Sequence, residues 1–207
     1  MKNIGIFGGS FDPVHLGHMG LAEDAAGQAG LDKIIFIPAA HQPFKLDRET
    51  ASGRDRLRMI ELAIEERPYL EVSDCELSRK GISYTYLTLR EMKEKAGKDG
   101  RIHFITGTDT FLKIETWKKA EELLAEYSYI VGSRPGYKKE ELISCIERIK
   151  AAYNTEVRVI HNVELNISST EIRRRMEEGR SAEDLIPGPV EQYIREKGLY
   201  GSRKYAE

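Results

Sequence analysis

The sequence of 207 residues lacks the features that mark secreted, membrane-spanning or nucleic-acid-binding proteins. It contains only two cysteines, Cys75 and Cys145, whereas a small secreted domain built on disulfides normally carries more. No run approaches the roughly 18 consecutive apolar residues needed to cross a bilayer, and no apolar leader precedes a small-residue cleavage site. The net charge of -2 lacks the basic excess expected of a nucleic-acid-binding domain. We therefore expect a cytoplasmic protein that binds small molecules, with no nucleic-acid or membrane partner.

The chain does contain short apolar strands in alternation with amphipathic helices. Hydrophobic residues make up 40% of the sequence, enough for a single core. Unbroken apolar strands separated by helical patterns are typical of a parallel sheet covered on both faces. We predict an α/β fold, a doubly wound (Rossmann-like) parallel sheet forming a single domain over 1–207, with a small C-terminal helical portion at about 168–200. The predicted strands are 3–7, 33–38, 70–73, 102–107, 127–132 and 157–161, and the predicted helices are 16–29, 54–66, 85–94, 116–126 and 139–153.

Four loops are predicted to follow strands of this sheet, and ligands in such folds collect beyond the carboxyl ends of the strands. We expect these loops to converge on one crevice. They are residues 8–18, 38–45, 107–109 and 133–136.

The first loop, GGSFDPVHLGH at 8–18, carries the strongest signal. Gly8 and Gly9 allow a sharp turn and a close approach of the backbone to an anion. His15 and His18 lie three residues apart, on one face of the first turn of the following helix, whose positive end would face the same space. The spacing predicts a cradle for a nucleoside triphosphate. Zinc binding is disfavoured, because the other histidines and the cysteines form no recognisable ligand set with this pair.

A second motif, ISSTEIR at 167–173, begins a helix that we expect to run to about Glu178. Ser168 followed three residues later by Glu171 is also an ordinary capping box, which by itself needs no ligand. Hydroxyls, free amides and the Arg173 guanidinium together would suit the outer phosphates of a triphosphate.

Both motifs resemble signatures of the nucleotidyltransferase superfamily, namely HxGH and S/T-x-x-I/L-R. With GTD at 107–109 and Trp117 between them, the chain resembles the bacterial nicotinate-nucleotide adenylyltransferases over nearly its whole length. Further matching stretches are GISYTYLT at 81–88, SRPG at 133–136 and a closing helix at 185–199.

The resemblance implies adenylyl transfer from ATP to nicotinate mononucleotide, with Mg²⁺ accompanying ATP and a possible homodimer. His15, His18 and Arg173 would be catalytic. The same three residues would bind ATP together with Phe7, Gly8, Gly9, Ser10, Phe11, Ser133, Arg134, Ile167, Ser168, Ser169 and Thr170. Residues implied for the acceptor are Lys45, Tyr84, Thr85, Gly107, Asp109 and Trp117. No protein ligand for a metal is implied.

Some positions depart from the family pattern on the substrate side and leave the acceptor open. Family members usually carry a proline-histidine-lysine element after the second strand, and in the loop at 41–45 of this chain the histidine lies at a different position. Leu87 stands where aspartate is common, and Thr108 stands where alanine is common. A sister enzyme acting on nicotinamide mononucleotide or phosphopantetheine, or a cytidylyltransferase, would share the histidine cradle. So would a class I aminoacyl-tRNA synthetase, although the chain lacks a lysine-rich second signature. The remaining alternative is a nucleotide sensor without catalytic activity.

Overall fold

In the computed structural model, the described residues are 2–40, 51–79, 83–133, 138–161 and 167–202. Six strands form a parallel sheet in the order β3-β2-β1-β4-β5-β6. Because the chain leaves β1 in one direction for β2 and β3 and in the other for β4 to β6, this is a doubly wound sheet. The predicted fold class is therefore confirmed. The single domain predicted over 1–207 stays a prediction.

The strands lie close to their predicted positions. β2 and β6 have the predicted bounds, and the other four differ by one or two residues at an end. In register, Phe7 of β1 lies beside Ile105 of β4, and Gly107 of β4 lies beside Gly132 of β5. The strands are β1 Lys2–Gly9, β2 Lys33–Pro38, β3 Leu70–Val72, β4 Gly100–Gly107, β5 Ser128–Ser133 and β6 Val157–His161.

The helices follow the predicted order, with two differences. The segment predicted as one helix at 116–126 begins only at Ala120, because Lys119 has a positive φ of 61° and a 3₁₀ turn precedes it. A short helix at Thr108–Phe111 was not predicted. The α-helices are α1 Leu16–Ala29, α2 Gly53–Ile64, α3 Thr85–Ala96, α4 Thr108–Phe111, α5 Ala120–Glu126, α6 Lys139–Tyr153, α7 Ser169–Glu177 and α8 Gly188–Lys197.

The described chain divides into two compact units. The first holds residues 2–8, 21–35 and the described part of 84–161. The second holds residues 9–20, the described part of 36–83, and 167–202. The motif at 167–173 and all of the motif at 8–18 except Gly8 therefore fall in the second unit.

The first unit packs helices on β1, β4, β5 and β6 around an aliphatic core. Helix α1 approaches β5 so closely that a Cβ added to Gly132 would lie 2.4 Å from the Leu21 side chain. A larger residue at this strand position would therefore push the helix away from the sheet. Core side chains with almost no exposure are Ile6, Ile34, Leu89, Ile105, Leu124, Tyr129, Ile130 and Val131.

The second unit has its own core beneath the first motif. Helix α2 begins at an N-cap, where the Ser52 hydroxyl accepts a hydrogen bond from the Asp55 amide at 3.1 Å. The inward face of the helix contributes Met59 and Ile60 to the core. Other side chains buried in this unit are Phe11, Val14, Phe36, Ile172, Met176, Ile186, Val190 and Ile194.

Candidate active site

His15 and His18 form a stacked pair at the start of α1. Their ring centroids are 3.6 Å apart, with 23° between the planes. The backbone amide of each histidine lies 3.3 Å from the Nδ1 atom of the other, so the two contacts are reciprocal. His15 is buried and His18 is half-buried. The predicted placement of both histidines on one face of the first turn is confirmed.

These reciprocal contacts favour one ring nitrogen as the carrier of the proton in a neutral imidazole, and the His18 amide also donates to the His15 carbonyl at 2.8 Å. An Nδ1 that accepts a hydrogen bond from an amide has no proton, so the proton of the neutral ring lies on Nε2. Burial also lowers the pKa of His15 to about 4, which keeps this ring neutral at pH 7. In its neutral form the His15 ring therefore presents an Nε2–H donor, and a neutral His18 ring would present another.

Gly17, Gly9 and the Phe11 ring determine how closely the backbone and side chains pack around the two histidine rings. A Cβ on Gly17 would lie 3.1 Å from the His15 ring, closer than ordinary van der Waals contact. The Phe11 ring packs edge-on against His18 at 4.9 Å, and a Cβ on Gly9 would lie 3.0 Å from that ring. Phe11 itself has a φ of 47°, a conformation costly for a bulky residue, and its ring is buried. The loop is held in this strained form by its packing.

The N-terminus of α1 is less open than the sequence suggests. We expected its amides to face the triphosphate cradle. The Leu16 amide instead donates to the Leu185 carbonyl at 2.9 Å, in the segment before α8. A backbone donor that is already paired contributes little to an anion, so the Leu16 amide is not a phosphate donor in this structure.

The second motif lies directly against the histidine loop. The Ser168 hydroxyl caps α7 by accepting from the Glu171 amide at 3.2 Å, as the capping box predicted. The Ser169 hydroxyl donates to the Pro13 carbonyl at 3.2 Å, and Arg173 Nη1 donates to the Asp12 carbonyl at 2.6 Å. The structure thus brings the two motifs together, although they are about 150 residues apart in sequence.

The remaining residues of the second motif lie around this contact. Arg173 Nη2 donates to the exposed Thr170 hydroxyl at 3.3 Å, and the arginine side chain is 21% exposed. Ile167 lies beside the histidine turn, since a Cβ on Gly17 would come within 3.7 Å of its side chain. Arg173 can therefore offer some of its five N–H groups to solvent or a ligand while others hold the loop.

Sequence reasoning missed a set of buried polar side chains beneath the histidine loop. Asp12 is 4% exposed, and its Oδ1 atom accepts from the Tyr200 hydroxyl at 2.6 Å and from the Ala51 amide at 3.0 Å. Arg56 is 6% exposed and donates to the Ser10 carbonyl at 2.8 Å. The only signal in the sequence was the Asp-Pro pair, which is ordinary turn chemistry.

In the first unit, several expected site residues follow the ends of β1 and β4. These strands are neighbours at the point where the strand order reverses, a common location for ligands. Phe7 is buried in β1. The Phe104 ring packs against Gly8, because a Cβ added to this glycine would lie 3.4 Å from the ring. Gly107 has open space where its Cβ would lie. Asp109 is exposed and forms an ion pair with Lys138 at 3.0 Å.

Trp117 is half-buried in the first unit and makes an edge-on contact with Phe104, at 5.8 Å between centroids. Tyr84 is the N-cap of α3 and has Lys118 Nζ 4.3 Å from its ring centre. Thr85 is the first residue of that helix, where the helix itself supplies no acceptor for the amides. Ser133, the last residue of β5, is buried in the same unit.

Two expected site residues, Lys45 and Arg134, lie outside the described residues. The same holds for the divergent loop at 41–45. The expected convergence of four loops on one crevice therefore stays a prediction.

Thr108, one of the positions that depart from the family pattern, has a role within the fold. Its hydroxyl donates to the Gly132 carbonyl at 3.0 Å, and the residue is buried. This side chain ties α4 to β5, so its presence is explained by packing. Its expected place on the substrate side stays a prediction.

Comparisons with known proteins decide the family. The cytidylyltransferase-like family model matches residues 6–175. A probable nicotinate-nucleotide adenylyltransferase of Desulfitobacterium hafniense is 40% identical over 199 residues, covering 96% of both chains. One of Halalkalibacterium halodurans is 41% identical over 201 residues, covering 97% of this chain and 92% of the relative.

This chain belongs to the nicotinate-nucleotide adenylyltransferase family. It is thus a nucleotidyltransferase within the cytidylyltransferase-like group. The solved structure of Plasmodium falciparum nicotinic acid mononucleotide adenylyltransferase complexed with NaAD has a TM-score of 0.79 at 23% identity, covering 98% of this chain and 99% of that one. At this identity the match establishes the shared fold alone.

Among the described residues, no helix is long and apolar enough to cross a membrane.

Proposed function

We propose that the protein transfers the adenylyl group of ATP to nicotinate mononucleotide, releasing pyrophosphate and forming deamido-NAD. The observation that carries the chemistry is the stacked histidine pair, in which each Nδ1 lies against a backbone amide and each Nε2 is left as the donor atom, beside a glycine-rich turn. The acceptor is supported by relatives at about 40% identity that carry the name nicotinate-nucleotide adenylyltransferase.

The reaction needs little proton transfer. An oxygen of the acceptor's phosphate, already ionised at neutral pH, attacks the α-phosphorus, and the bond from that phosphorus to pyrophosphate breaks. No general base is needed for such a nucleophile. The residues must therefore align the two phosphates and offset the negative charge that develops in the transition state.

His15 and His18 suit this role because each ring offers a hydrogen-bond donor at Nε2, and burial keeps His15 from acting as a base at neutral pH. With Nδ1 occupied by an amide, each ring can offer a proton only from Nε2. We assign His18 to the α-phosphate, because it is the more exposed of the two, and His15 to the same triphosphate region. Arg173 would add positive charge to the outer phosphates while it holds the loop at Asp12.

The remaining assignments concern the two nucleosides. Trp117 would stack on the pyridine ring, and Tyr84 and Thr85 would receive the nicotinate carboxylate at the start of α3. Asp109 would bind ribose hydroxyls. Adenine and phosphate contacts are proposed for Phe7, Gly8, Gly9, Ser10, Phe11, Ser133, Arg134, Ile167, Ser168, Ser169 and Thr170, and acceptor contacts for Lys45 and Gly107.

We propose that Mg²⁺ enters this site with ATP, bound to the triphosphate. Among residues 2–40, 51–79, 83–133, 138–161 and 167–202, no group of three or more His, Cys, Asp or Glu side chains is arranged to hold a metal. The carboxylate in the histidine loop, Asp12, already accepts two hydrogen bonds through Oδ1. Mg²⁺ commonly keeps most of its waters and binds phosphates, where it neutralises charge.

We further propose a cytoplasmic location and a homodimer.

A panel of acceptors tests the function. Pyrophosphate release is measured with ATP and, in turn, nicotinate mononucleotide, nicotinamide mononucleotide and phosphopantetheine, and then with CTP in place of ATP. We expect the highest kcat/KM with ATP and nicotinate mononucleotide, together with formation of deamido-NAD. Greater activity with another acceptor would assign the chain to a sister activity. No pyrophosphate release with any of them would indicate a nucleotide sensor.

A further inference from the structure

The loop between β1 and α1 is held by side chains from distant parts of the second unit. Arg56 of α2 donates to the Ser10 carbonyl, Arg173 of α7 to the Asp12 carbonyl, and Ser169 to the Pro13 carbonyl. Three of the loop's carbonyls are therefore bonded to side chains outside the loop. A turn between a strand and a helix does not by itself need three side chains from other segments bonded to its carbonyls.

Fixing a carbonyl also fixes the amide that follows it. In a planar trans peptide the C=O of one residue and the N–H of the next point in opposite directions. Because the Ser10 carbonyl is turned toward Arg56, the Phe11 amide is directed away from Arg56. The same holds for the Val14 amide, opposite the bond from Ser169 to Pro13. Side chains that bind these carbonyls thus determine where the loop's amides point.

The carboxylate of Asp12 is the centre of this arrangement. It is 4% exposed, and a buried carboxylate is costly unless it is fully hydrogen-bonded. Oδ1 accepts from the Tyr200 hydroxyl and the Ala51 amide, while Oδ2 lies 3.8 Å from Arg173 Nη1. Asp12 therefore joins the loop to the segment before α2, to α7 and to the C-terminal turn at once.

Tyr200 reaches Asp12 from a strained backbone position. It lies in the 3₁₀ turn Leu199–Gly201 with φ 57° and ψ 30°, the left-handed region that bulky residues rarely adopt. Such strain persists where the surroundings impose it, and it often accompanies a functional constraint. Burial, together with the Asp12 carboxylate, raises the pKa of Tyr200, so its hydroxyl remains a donor at neutral pH.

We propose that Tyr200 and Asp12 are positioning residues for the proposed adenylyl transfer: the hydroxyl of the C-terminal turn fixes the Asp12 carboxylate, and this carboxylate fixes the loop that carries His15. This inference rests on the proposed function for its kinetic consequence. Its structural consequence, the orientation of the His15 ring, does not depend on the reaction.

The chain offers a matched pair of variants. Tyr200→Phe removes one hydroxyl bonded to an aspartate beneath the histidine loop. Tyr193→Phe removes one hydroxyl bonded to another aspartate, Asp55 at 2.8 Å, in the first turn of α2 in the same unit. Each loses a single hydrogen bond to a carboxylate; because Asp12 is more buried than Asp55, Tyr200→Phe should lose somewhat more stability, and kcat is compared well below the Tm of both variants.

Two readouts separate positioning from mere stability. We expect Tyr200→Phe to lower kcat about tenfold with the KM for nicotinate mononucleotide within about twofold of wild type, whereas Tyr193→Phe keeps its kcat. The ¹⁵N shifts of the His15 ring should move in Tyr200→Phe and not in Tyr193→Phe. Equal kcat and unchanged His15 shifts in both variants would overturn the proposal.

A second series covers the case in which Tyr200→Phe does not fold. Asp12→Asn keeps an acceptor oxygen for Tyr200 and Ala51, whereas Asp12→Ala removes it. We expect kcat to fall in the order wild type, Asp12→Asn, Asp12→Ala, and no difference between the two variants would contradict the proposal. If wild-type protein made no deamido-NAD, the proposed function would fail, while the His15 shifts would still test the positioning.

Discussion

Each histidine of the pair can donate only through Nε2, because a backbone amide occupies its Nδ1. The spacing of His15 and His18 predicted that they share a face, and this is confirmed. The identity of the donating nitrogen could not be predicted, since it depends on backbone amides whose direction is set by the loop's fold. The burial that makes His15 neutral is likewise a property of packing.

His15 should make the protein less stable in acid. Its pKa is about 4 in the folded protein, whereas an unperturbed histidine has a pKa of 6.5. As pH falls from 6.5 to 4, the unfolded chain binds a proton that the folded chain excludes, so the free energy of unfolding decreases by up to about 3 kcal/mol. This contribution is fully present above pH 6.5. Urea unfolding of wild type and His15→Gln between pH 4 and 7 measures it, and parallel pH dependences would contradict the account.

Removing the His18 ring should affect turnover far more than folding. We expect His18→Ala to lower kcat by about a hundredfold, the usual cost of one transition-state donor. The control is His161→Ala: that histidine is exposed at the end of β6, and the bonds it forms with Gln28 use only its backbone. If His18→Ala kept near-normal kcat with an unchanged Tm, His18 would have no part in the mechanism.

At the scale of elements, α7 both binds the loop and exposes the groups proposed for ATP. The sequence predicted its start well, because a serine followed by glutamate three residues on is a local capping signal. It could not predict that Ser169 and Arg173 bond the carbonyls of Pro13 and Asp12, since a contact between residues about 160 positions apart leaves no local pattern.

The cap of α7 gives a prediction about stability. Ser168→Ala removes the acceptor of the Glu171 amide and should lower the free energy of unfolding by about 1 kcal/mol. Ser168→Asp keeps an acceptor and should restore most of the loss. Chemical denaturation of the three proteins measures the effect, and equal stability of the alanine variant and wild type would show that the cap contributes nothing.

Trp117, which follows the 3₁₀ turn Ile114–Thr116, gives a prediction about binding of the acceptor nucleotide. Trp117 is half-buried, so one part of the ring contacts Phe104 and another part remains open. Trp117→Ala should raise the KM for nicotinate mononucleotide about tenfold, because a stacking face is lost. Trp117→Phe should raise it less. A change confined to the KM for ATP would refute stacking on the pyridine ring.

At the scale of the whole molecule, the doubly wound sheet could be predicted because apolar strands and amphipathic helices leave strong periodic signals. The start of α5 was wrong by four residues, since Lys119 adopts a left-handed conformation that no local preference favours. The link between Tyr200 and Asp12 joins residues 188 positions apart and was missed entirely. The order of strands and helices could thus be predicted from the sequence, whereas contacts between residues far apart in the chain could not.

The central claim is that the two imidazoles hold the triphosphate of ATP through their Nε2 atoms. A crystal structure with a non-hydrolysable ATP analogue tests it most directly. We predict that Nε2 of His18 lies about 2.7 to 3.2 Å from an α-phosphate oxygen, with Nε2 of His15 at a similar distance from the same phosphate chain. A bound analogue with both rings turned away from its phosphates would contradict the account.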